Sequence, residues 1–299
     1  MKLVYGKDHP DADVVIVYGN CQAPLIAWLL SVADSAQSGR VYIAGLNHTH
    51  PGHTPVPLDP KLLARCVLYI EQLDERAEVP ERTALREGIP PRTPKIIFPP
   101  MGMHCFWPFE TIEPRVRYTE KYPFGRFPIG DLIGLQIAKQ NLPGEAAFDA
   151  YMKLSTERMP DLAKRLDWDL ERMSARDHAS DVQIGSYLSM TCRHQHLFWT
   201  SGHLASQPVA LLACRLYEAL HPLLGGDLDE GLDRMQDAVD QWEGMGPVQL
   251  PIHPLVAERL RLDFVQPDRT YDWSGEQWNF RDYMIRYLSY DENWGHLGQ

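Results

Sequence analysis

A run of apolar residues near the start of the chain leads directly into a short polar turn and then a helix-forming segment. Residues 13–18 read Asp-Val-Val-Ile-Val-Tyr, and such a run, rich in β-branched residues, favours a strand buried on both faces. Residues 19–22, Gly-Asn-Cys-Gln, follow at once. Pro24 then suits the first turn of a helix, where a missing N–H costs nothing. The pattern predicts a strand, a tight turn and a helix.

Further segments of the sequence predict the fold class. Short apolar runs at 41–44, 67–70 and 95–98 predict more buried strands, so we expect a parallel sheet. Apolar residues at helical spacing predict helices over 131–140, 144–154, 159–173, 180–190, 208–220 and 228–242. Stretches rich in proline and glycine predict loops at 49–60, 80–100 and 244–254. The predicted fold is α/β, with a parallel-sheet core in the N-terminal half and a largely helical C-terminal half.

We interpret residues 1–299 as a single domain, sheet-rich over 1–128 and helix-rich over 129–299. Forty acidic against 29 basic residues give a net charge of −11, and no basic patch stands out, so we expect no nucleic-acid partner. The longest apolar stretch, 23–33, is about half the length of a membrane-spanning helix, so we expect no membrane insertion. The five cysteines are widely spaced and form no C-x-x-C pair, which favours free thiols and a cytoplasmic location. Oligomeric state stays open.

Cys21 is the residue on which the functional prediction depends. It follows a buried strand and precedes a helix, so it should lie at the carboxyl end of the sheet, where open α/β folds bind ligands. Unpaired N–H groups at the start of the helix should stabilise a thiolate or a bound anion. We therefore expect a thiol that is more acidic and more nucleophilic than a free cysteine. The alternative is a small residue packed beneath the turn.

The neighbours of Cys21 suit the same site. Asn20 and Gln22 carry amides that could donate to an oxyanion, and Asn20 could instead cap the helix. Gly19 would permit a tight turn, a positive φ or the close approach of a ligand. We expect these three residues to form an oxyanion or ligand-binding turn.

A nucleophilic thiol, or an acceptor thiol or hydroxyl, needs a base, and the twelve histidines offer several candidates. His203 precedes a predicted helix, and His253 is held between Ile252 and Pro254 in an extended loop. The H-x-H-x-x-H pattern at 48–53 is a weak metal signal, because no acidic or cysteine ligand lies nearby, and the H-x-H at 194–196 has still less context. We expect no metal.

Three motifs in order resemble the WcbI-like polysaccharide-biosynthesis family. Residues 14–22, Val-Val-Ile-Val-Tyr-Gly-Asn-Cys-Gln, resemble its opening strand and G-N-C-Q turn. Residues 181–188 and 193–203 resemble its "D-V-x-I-S-D-Y-I … R-x-x-L-F-x-T-x-N-H-P" segment. Residues 251–257 and 278–283 are similar to its closing "I-H-P-x-V-A" and aromatic-rich helix. The resemblance runs from about residue 14 to about residue 288.

The resemblance implies an enzyme that binds coenzyme A or acetyl-coenzyme A and moves the acetyl group to a sugar hydroxyl during capsule or surface-polysaccharide assembly. By position it places Cys21 in the active-site turn, His203 and His253 on two family histidines, and Arg193 on a basic residue suited to the donor's phosphates. Either Cys21 takes the acyl group first, or His203 deprotonates the acceptor for direct attack.

Two departures from the family pattern leave other functions open. Gly202-His203-Leu204 stands for N-H-P, and Gly185-Ser186-Tyr187 stands for S-D-Y. An asparagine and an aspartate that could orient the site are therefore missing. The alternatives are a cysteine-dependent hydrolase or amidase, with water as the acceptor, and a non-catalytic protein that binds an anionic ligand.

Overall fold

The computed structural model describes residues 2–5, 9–34, 39–46, 59–75 and 80–290 of the 299-residue chain. Its strands are β1 (Lys2–Tyr5), β2 (Val14–Gly19), β3 (Val41–Leu46), β4 (Cys66–Gln72), β5 (Lys95–Phe98), β6 (Glu110–Thr111), β7 (Gly130–Asp131), β8 (Tyr271–Trp273) and β9 (Glu276–Trp278). Its helices are α1 (Ala23–Asp34), α2 (Pro60–Leu63), α3 (Pro80–Gly88), α4 (Leu132–Ala138), α5 (Gly144–Glu157), α6 (Leu162–His178), α7 (Gly185–Thr191), α8 (Ser206–Leu224), α9 (Leu228–Asp240), α10 (Pro254–Leu260) and α11 (Phe280–Leu288).

The chain divides into two compact units, each assembled from separate segments. The first unit comprises Met1–Met101, Leu170–Met190 and Leu204–Met245. The second comprises Gly102–Asp169, Thr191–His203 and Gly246–Gln299. The organisation of residues 1–299 as a single domain stays a prediction.

The first unit contains a five-stranded sheet in the order β1-β3-β2-β4-β5. The last four of these strands are parallel, and β1 pairs with β3 in the antiparallel direction. The predicted α/β fold, with its parallel sheet in the N-terminal half and helices in the C-terminal half, is confirmed. The sequence analysis did not predict β1, which lies at the edge of the sheet.

Strand β2 is the centre of the first unit because every one of its residues is buried. Val14, Ile16 and Tyr18 alternate onto one face, where they form a core cluster with residues of α2 and α3 such as Leu63 and Leu85. Helix α1 packs on β2 and β3, and α8 and α9 pack on α1. A strand buried in this way requires an unbroken apolar run, as the sequence provides.

The strand order places a topological switch point at the end of β2. From β2 the chain passes through α1 to β3 on one side, and β4 then lies on the other side of β2. Connections that leave in opposite directions open a crevice at the carboxyl ends of the two diverging strands. Gly19 ends β2 and Gln72 ends β4, so both lie at this crevice.

Two predictions about individual elements are wrong. The stretch 80–100, predicted as a loop, contains α3, which begins at Pro80 and carries Glu81 in its first turn. The helix predicted over 180–190 begins only at Gly185, because the carboxylate of Asp177 accepts hydrogen bonds from the N–H groups of Ile184 and Gly185. A side chain from the preceding helix thus sets where α7 starts.

The second unit contains α4, α5 and α11, which pack on one another, and the two-stranded antiparallel sheets β6–β7 and β8–β9. The ring of Phe127 contacts the rings of Trp273, Trp278, Tyr283, Tyr287 and Tyr290 at centroid distances of 5.0–6.3 Å. The aromatic residues near the C-terminus therefore pack within this unit. Across the part of the chain that the structure describes, no helix combines the length and the hydropathy needed to cross a membrane.

Candidate functional site

The turn after β2 is held by a network of buried amides. Gln72 Oε1 accepts a hydrogen bond of 2.8 Å from the backbone N–H of Asn20, and Gln72 Nε2 donates to Gln22 Oε1 at 3.0 Å. Gln22 Nε2 donates to the carbonyl of Met101 at 2.7 Å, and Gln22 Oε1 accepts from the N–H of Met101 at 3.2 Å. Gln22 and Gln72 are 1% and 2% exposed, so this network is shielded from water and fixes the backbone beside Cys21.

These contacts give Gln22 a structural role. Its carbonyl oxygen and its amide nitrogen are both engaged within the first unit, and its side chain is buried. The prediction that Gln22 donates to an oxyanion stays untested, but this geometry favours a brace for the turn. Gln72 was missed by the sequence analysis. The signal was a polar residue at the carboxyl end of a strand that neighbours β2 in a parallel sheet.

Gly19 is required by a close approach rather than by a positive φ. It is absent from the residues with left-handed backbone in the described chain. A Cβ at this position would lie 2.7 Å from Gln72 Cβ and 2.9 Å from Gln72 Oε1. Glycine is therefore required here to leave space for the side chain of Gln72, which is part of the protein and not of a ligand.

Most of the backbone N–H groups at the start of α1 donate hydrogen bonds to acceptors in the turn itself. Asn20 Oδ1 accepts from the N–H of Gln22 at 2.8 Å, and the carbonyl of Asn20 accepts from Ala23 at 3.0 Å. The N–H of Leu25 donates to the carbonyl of Gln22, and Pro24 has no N–H. The expectation of an open set of unpaired donors at this helix start is therefore wrong, because the turn uses them as caps.

The Cys21 thiol is partly exposed and less acidic than expected. Burial raises its pKa from 9.0 to about 11, and the backbone N–H of Cys21 itself opposes this shift only in part. Desolvation thus shifts the pKa of this thiol in the direction opposite to the one predicted from its place at the helix start. At pH 7 a thiol with this pKa is ionised in about one molecule in ten thousand. Cys21 therefore needs a base or a bound ligand to act as a nucleophile.

His203 lies in the second unit, at the end of a closed turn. Its carbonyl accepts hydrogen bonds from the N–H groups of Trp199 and Thr200, and its own N–H donates to Thr200 Oγ1 at 3.1 Å. Its ring lies beside Gly246, where an added Cβ would be 3.6 Å from His203 Nδ1. His203 is a partly exposed residue on a hydrogen-bonded turn, and its ring Nδ1 is shielded from solvent. This arrangement suits a general base.

His253 is buried in the second unit and uses both ring nitrogens. Its Nδ1 accepts from the N–H of Leu255 at 3.1 Å, which caps α10, so Nε2 carries the proton toward Ser155 Oγ at 3.0 Å. Burial lowers the pKa of His253 to about 4. Its catalytic role stays a prediction, and this geometry favours a neutral imidazole that holds the start of α10.

Arg193 is exposed in the second unit, and its backbone carbonyl accepts from the N–H of Asp263 at 2.8 Å. His196 Nδ1 accepts a hydrogen bond of 2.7 Å from Arg269. Within the described residues no group of three or more His, Cys, Asp or Glu side chains is placed to hold a metal ion. The H-x-H-x-x-H pattern at 48–53 lies outside the described residues.

Comparison with known families assigns the chain to one of them. The family model described as polysaccharide biosynthesis enzyme WcbI matches residues 14–222. The chain belongs to the WcbI family. No protein with a curated description matches it.

A solved structure of a WcbI protein has a similar fold, with a TM-score of 0.65 at 15% sequence identity, and the match covers 93% of this chain and 89% of that one. It is described as native WcbI, a novel polysaccharide biosynthesis enzyme, without a disulfide bond between coenzyme A and one of its cysteines. The Cys21 turn and the 181–203 segment both lie inside the range that the WcbI family model matches.

The WcbI motif that begins at Asp181 docks on the sheet. Asp181 Oδ2 accepts a hydrogen bond of 2.6 Å from the N–H of Ile97, and the N–H of Asp181 donates to the carbonyl of Ile97 at 2.8 Å. A Cβ at Gly185 would lie 2.7 Å from Asp177 Oδ2, so a larger residue there would require the cap on α7 to shift. At Gly202, by contrast, a Cβ would meet nothing within 4 Å.

Proposed function

We propose that this member of the WcbI family transfers an acyl group, most simply acetyl, from a coenzyme A thioester to a hydroxyl of a small carbohydrate-like acceptor. The observation that carries the proposal is the position of Cys21 on a braced turn at the switch point of the sheet. This is where open α/β folds bind ligands. The WcbI protein of similar fold is described by reference to coenzyme A and a cysteine, which supports a thioester donor.

The reaction balances without any further reactant. The acceptor oxygen attacks the thioester carbonyl, and its proton passes to a base. The C–S bond then breaks, an ester forms, and the coenzyme A sulfur takes up a proton. We assign the base to His203 and the place beside the thioester to Cys21. Each role is proposed from family position and from geometry within the residue's own unit.

The raised pKa of Cys21 favours direct attack by the acceptor over a covalent acyl-cysteine. A thiol with a pKa of about 11 is almost entirely protonated at neutral pH, so it is a weak nucleophile until a base removes its proton. Direct attack by the acceptor requires only that the Cys21 turn bind the acyl donor. The exposed guanidinium of Arg193 is proposed to contact the donor's phosphates.

The test is isothermal titration with coenzyme A and acetyl-coenzyme A, followed by intact mass after exposure to acetyl-coenzyme A. Wild type is expected to bind both, without a stable adduct. His203→Gln should retain donor binding and lose transfer to an added sugar. An acetyl adduct that is lost in Cys21→Ala would replace direct attack by the covalent route. Absence of binding to either ligand would overturn the proposal, and thioester hydrolysis without an alcohol would favour the hydrolase.

A further inference from the structure

A groove with a volume of about 510 Å³ lies in the second unit, along α10 and the turn after it, with β8 on its wall. Its volume falls in the range of small-molecule sites, about 300–1,000 Å³. Tyr271 and Phe280 give it aromatic surface, and Arg261, Arg269, Glu258 and Gln266 give it polar groups. No role in the proposed transfer has been assigned to any of these residues.

Arg269 is held rigidly in the wall of this groove. One terminal nitrogen donates to the carbonyl of Phe264 at 2.9 Å, and the other contacts His196 Nδ1 at 2.7 Å. The guanidinium carbon lies 5.3 Å from the centre of the Tyr271 ring and 5.8 Å from that of Phe264. A further donor, Nε–H, is shielded from solvent and has no hydrogen-bond partner among the described residues. A shielded donor without an acceptor is costly, so the protein's own groups satisfy this guanidinium only in part.

The charge of Arg269 also lacks a partner. Among the residues that the structure describes, no Asp or Glu forms an ion pair with it. His196 cannot supply negative charge, and burial together with the charge of Arg269 lowers its pKa to about 3, which keeps it neutral. A partly buried cation without a counter-ion is stabilised when an anion binds.

Three other charged side chains line the groove. Asp263 lines the groove, but its carboxylate pairs with His194. Glu258 is exposed on α10 and can accept hydrogen bonds from hydroxyl groups. Arg261, in the left-handed conformation at the end of α10, adds a second cation. The groove therefore carries two cations and two carboxylates, and neither carboxylate forms an ion pair with Arg269.

We propose that this groove binds an acidic sugar, with the carboxylate or phosphate on Arg269 and the ring against Tyr271 or Phe280. Planar guanidinium groups bind carboxylates and phosphates through paired N–H donors, and each terminal nitrogen of Arg269 keeps a second N–H beyond the one it donates within the protein. The inference deepens the proposed function by naming an anionic class of acceptor, and it rests on that function for the role of the sugar. The binding itself needs no acyl donor.

The experiment is isothermal titration of the full chain, without any acyl donor, with D-glucuronate, D-glucose and coenzyme A at low ionic strength. Wild type is expected to bind glucuronate at least tenfold more tightly than glucose. Arg269→Gln should remove this preference. Because Arg269 packs between aromatic rings, Arg269→Lys is the second variant, and it should weaken glucuronate at least tenfold while preserving the thermal unfolding transition.

Arg259→Gln is the matched control, since Arg259 is an exposed cation on α10 that does not line the groove. It should leave glucuronate affinity within twofold of wild type. Equal affinity for glucuronate and glucose, or no effect of folded Arg269→Lys, would overturn the proposal. Loss of affinity for coenzyme A alone in the Arg269 variants would assign this anion site to the donor and overturn an acidic acceptor. Failure of wild type to bind coenzyme A would contradict the transferase proposal and leave the glucuronate result independent.

Discussion

The side chain of Gln72, at the end of β4, accepts a hydrogen bond of 2.8 Å from the backbone N–H of Asn20, 52 residues earlier in the chain. This contact joins two neighbouring parallel strands at their carboxyl ends, beside the Cys21 thiol. Because Gln72 also donates to Gln22 Oε1, one side chain fixes both flanks of Cys21. The position of the thiol is therefore set by a residue of another strand.

Gln72→Leu should destabilise the protein by about 2 kcal/mol or more. The substitution leaves the N–H of Asn20 and the oxygen of Gln22 without their partner in a buried place, and each such loss costs about 1–3 kcal/mol. Urea unfolding measures the change. Gln207→Leu, at an exposed position of α8, is the control and should stay within about 0.5 kcal/mol. Equal stability of Gln72→Leu and wild type would contradict the role of Gln72 in holding the turn.

Gly19→Ala should destabilise by about 1–3 kcal/mol, because its Cβ would meet Gln72 Cβ at 2.7 Å. Gly202→Ala is the matched control, since a Cβ there meets nothing within 4 Å. Gly202→Asn, which restores the family residue, should also fold. Thermal unfolding of the three variants distinguishes them. The idea of a close approach fails if the two alanine variants unfold at the same temperature.

The rate at which Cys21 is alkylated in the native protein should keep rising as the pH is raised. Burial raises the pKa of this thiol from 9.0 to about 11, so in the native protein the rate should still rise above pH 9. In urea the rate should level off near the ordinary pKa. Below pH 9 the thiol is protonated in both states, and between 9 and 11 the unfolded thiol ionises first, which lowers stability. Iodoacetamide labelling, followed by peptide mass mapping of Cys21, tests this, and a native plateau below pH 8 would contradict it.

Lowering the pH should reduce the free energy of unfolding, because His253 is buried in its neutral form. Burial lowers its pKa to about 4 from 6.5, so the stabilising neutral form is fully present above pH 6.5. As the pH falls from 6.5 to 4, the unfolded state binds a proton that the native state does not, at a cost of up to about 1.4 kcal/mol per pH unit.

The measurement is urea unfolding at several pH values, in wild type and His253→Gln. The variant should be less stable at pH 7.5, because the cap on α10 is lost, and its stability should depend less steeply on pH. The difference between the two proteins isolates His253 from Asp131, whose pKa burial raises to about 6, and from His196. Parallel pH profiles would show that His253 has the same pKa in the native and unfolded states, which would contradict the prediction.

The sequence by itself determined the central strand, the turn and the first helix, because an unbroken apolar run of β-branched residues can only be buried between neighbours. It also carried the three ordered motifs, and the WcbI family model matches the range that holds the first two. Such information lies in contiguous residues, so it can be read without coordinates.

Only the tertiary structure decided the state of the groups in the turn. Desolvation of Cys21 depends on what packs around it, and the requirement for Gly19 comes from Gln72, a residue of another strand. The start of α7 depends on Asp177 in the preceding helix, and the uncompensated charge of Arg269 depends on neighbours far along the chain. Burial and hydrogen bonding at these positions arise from distant segments, so no local pattern encodes them.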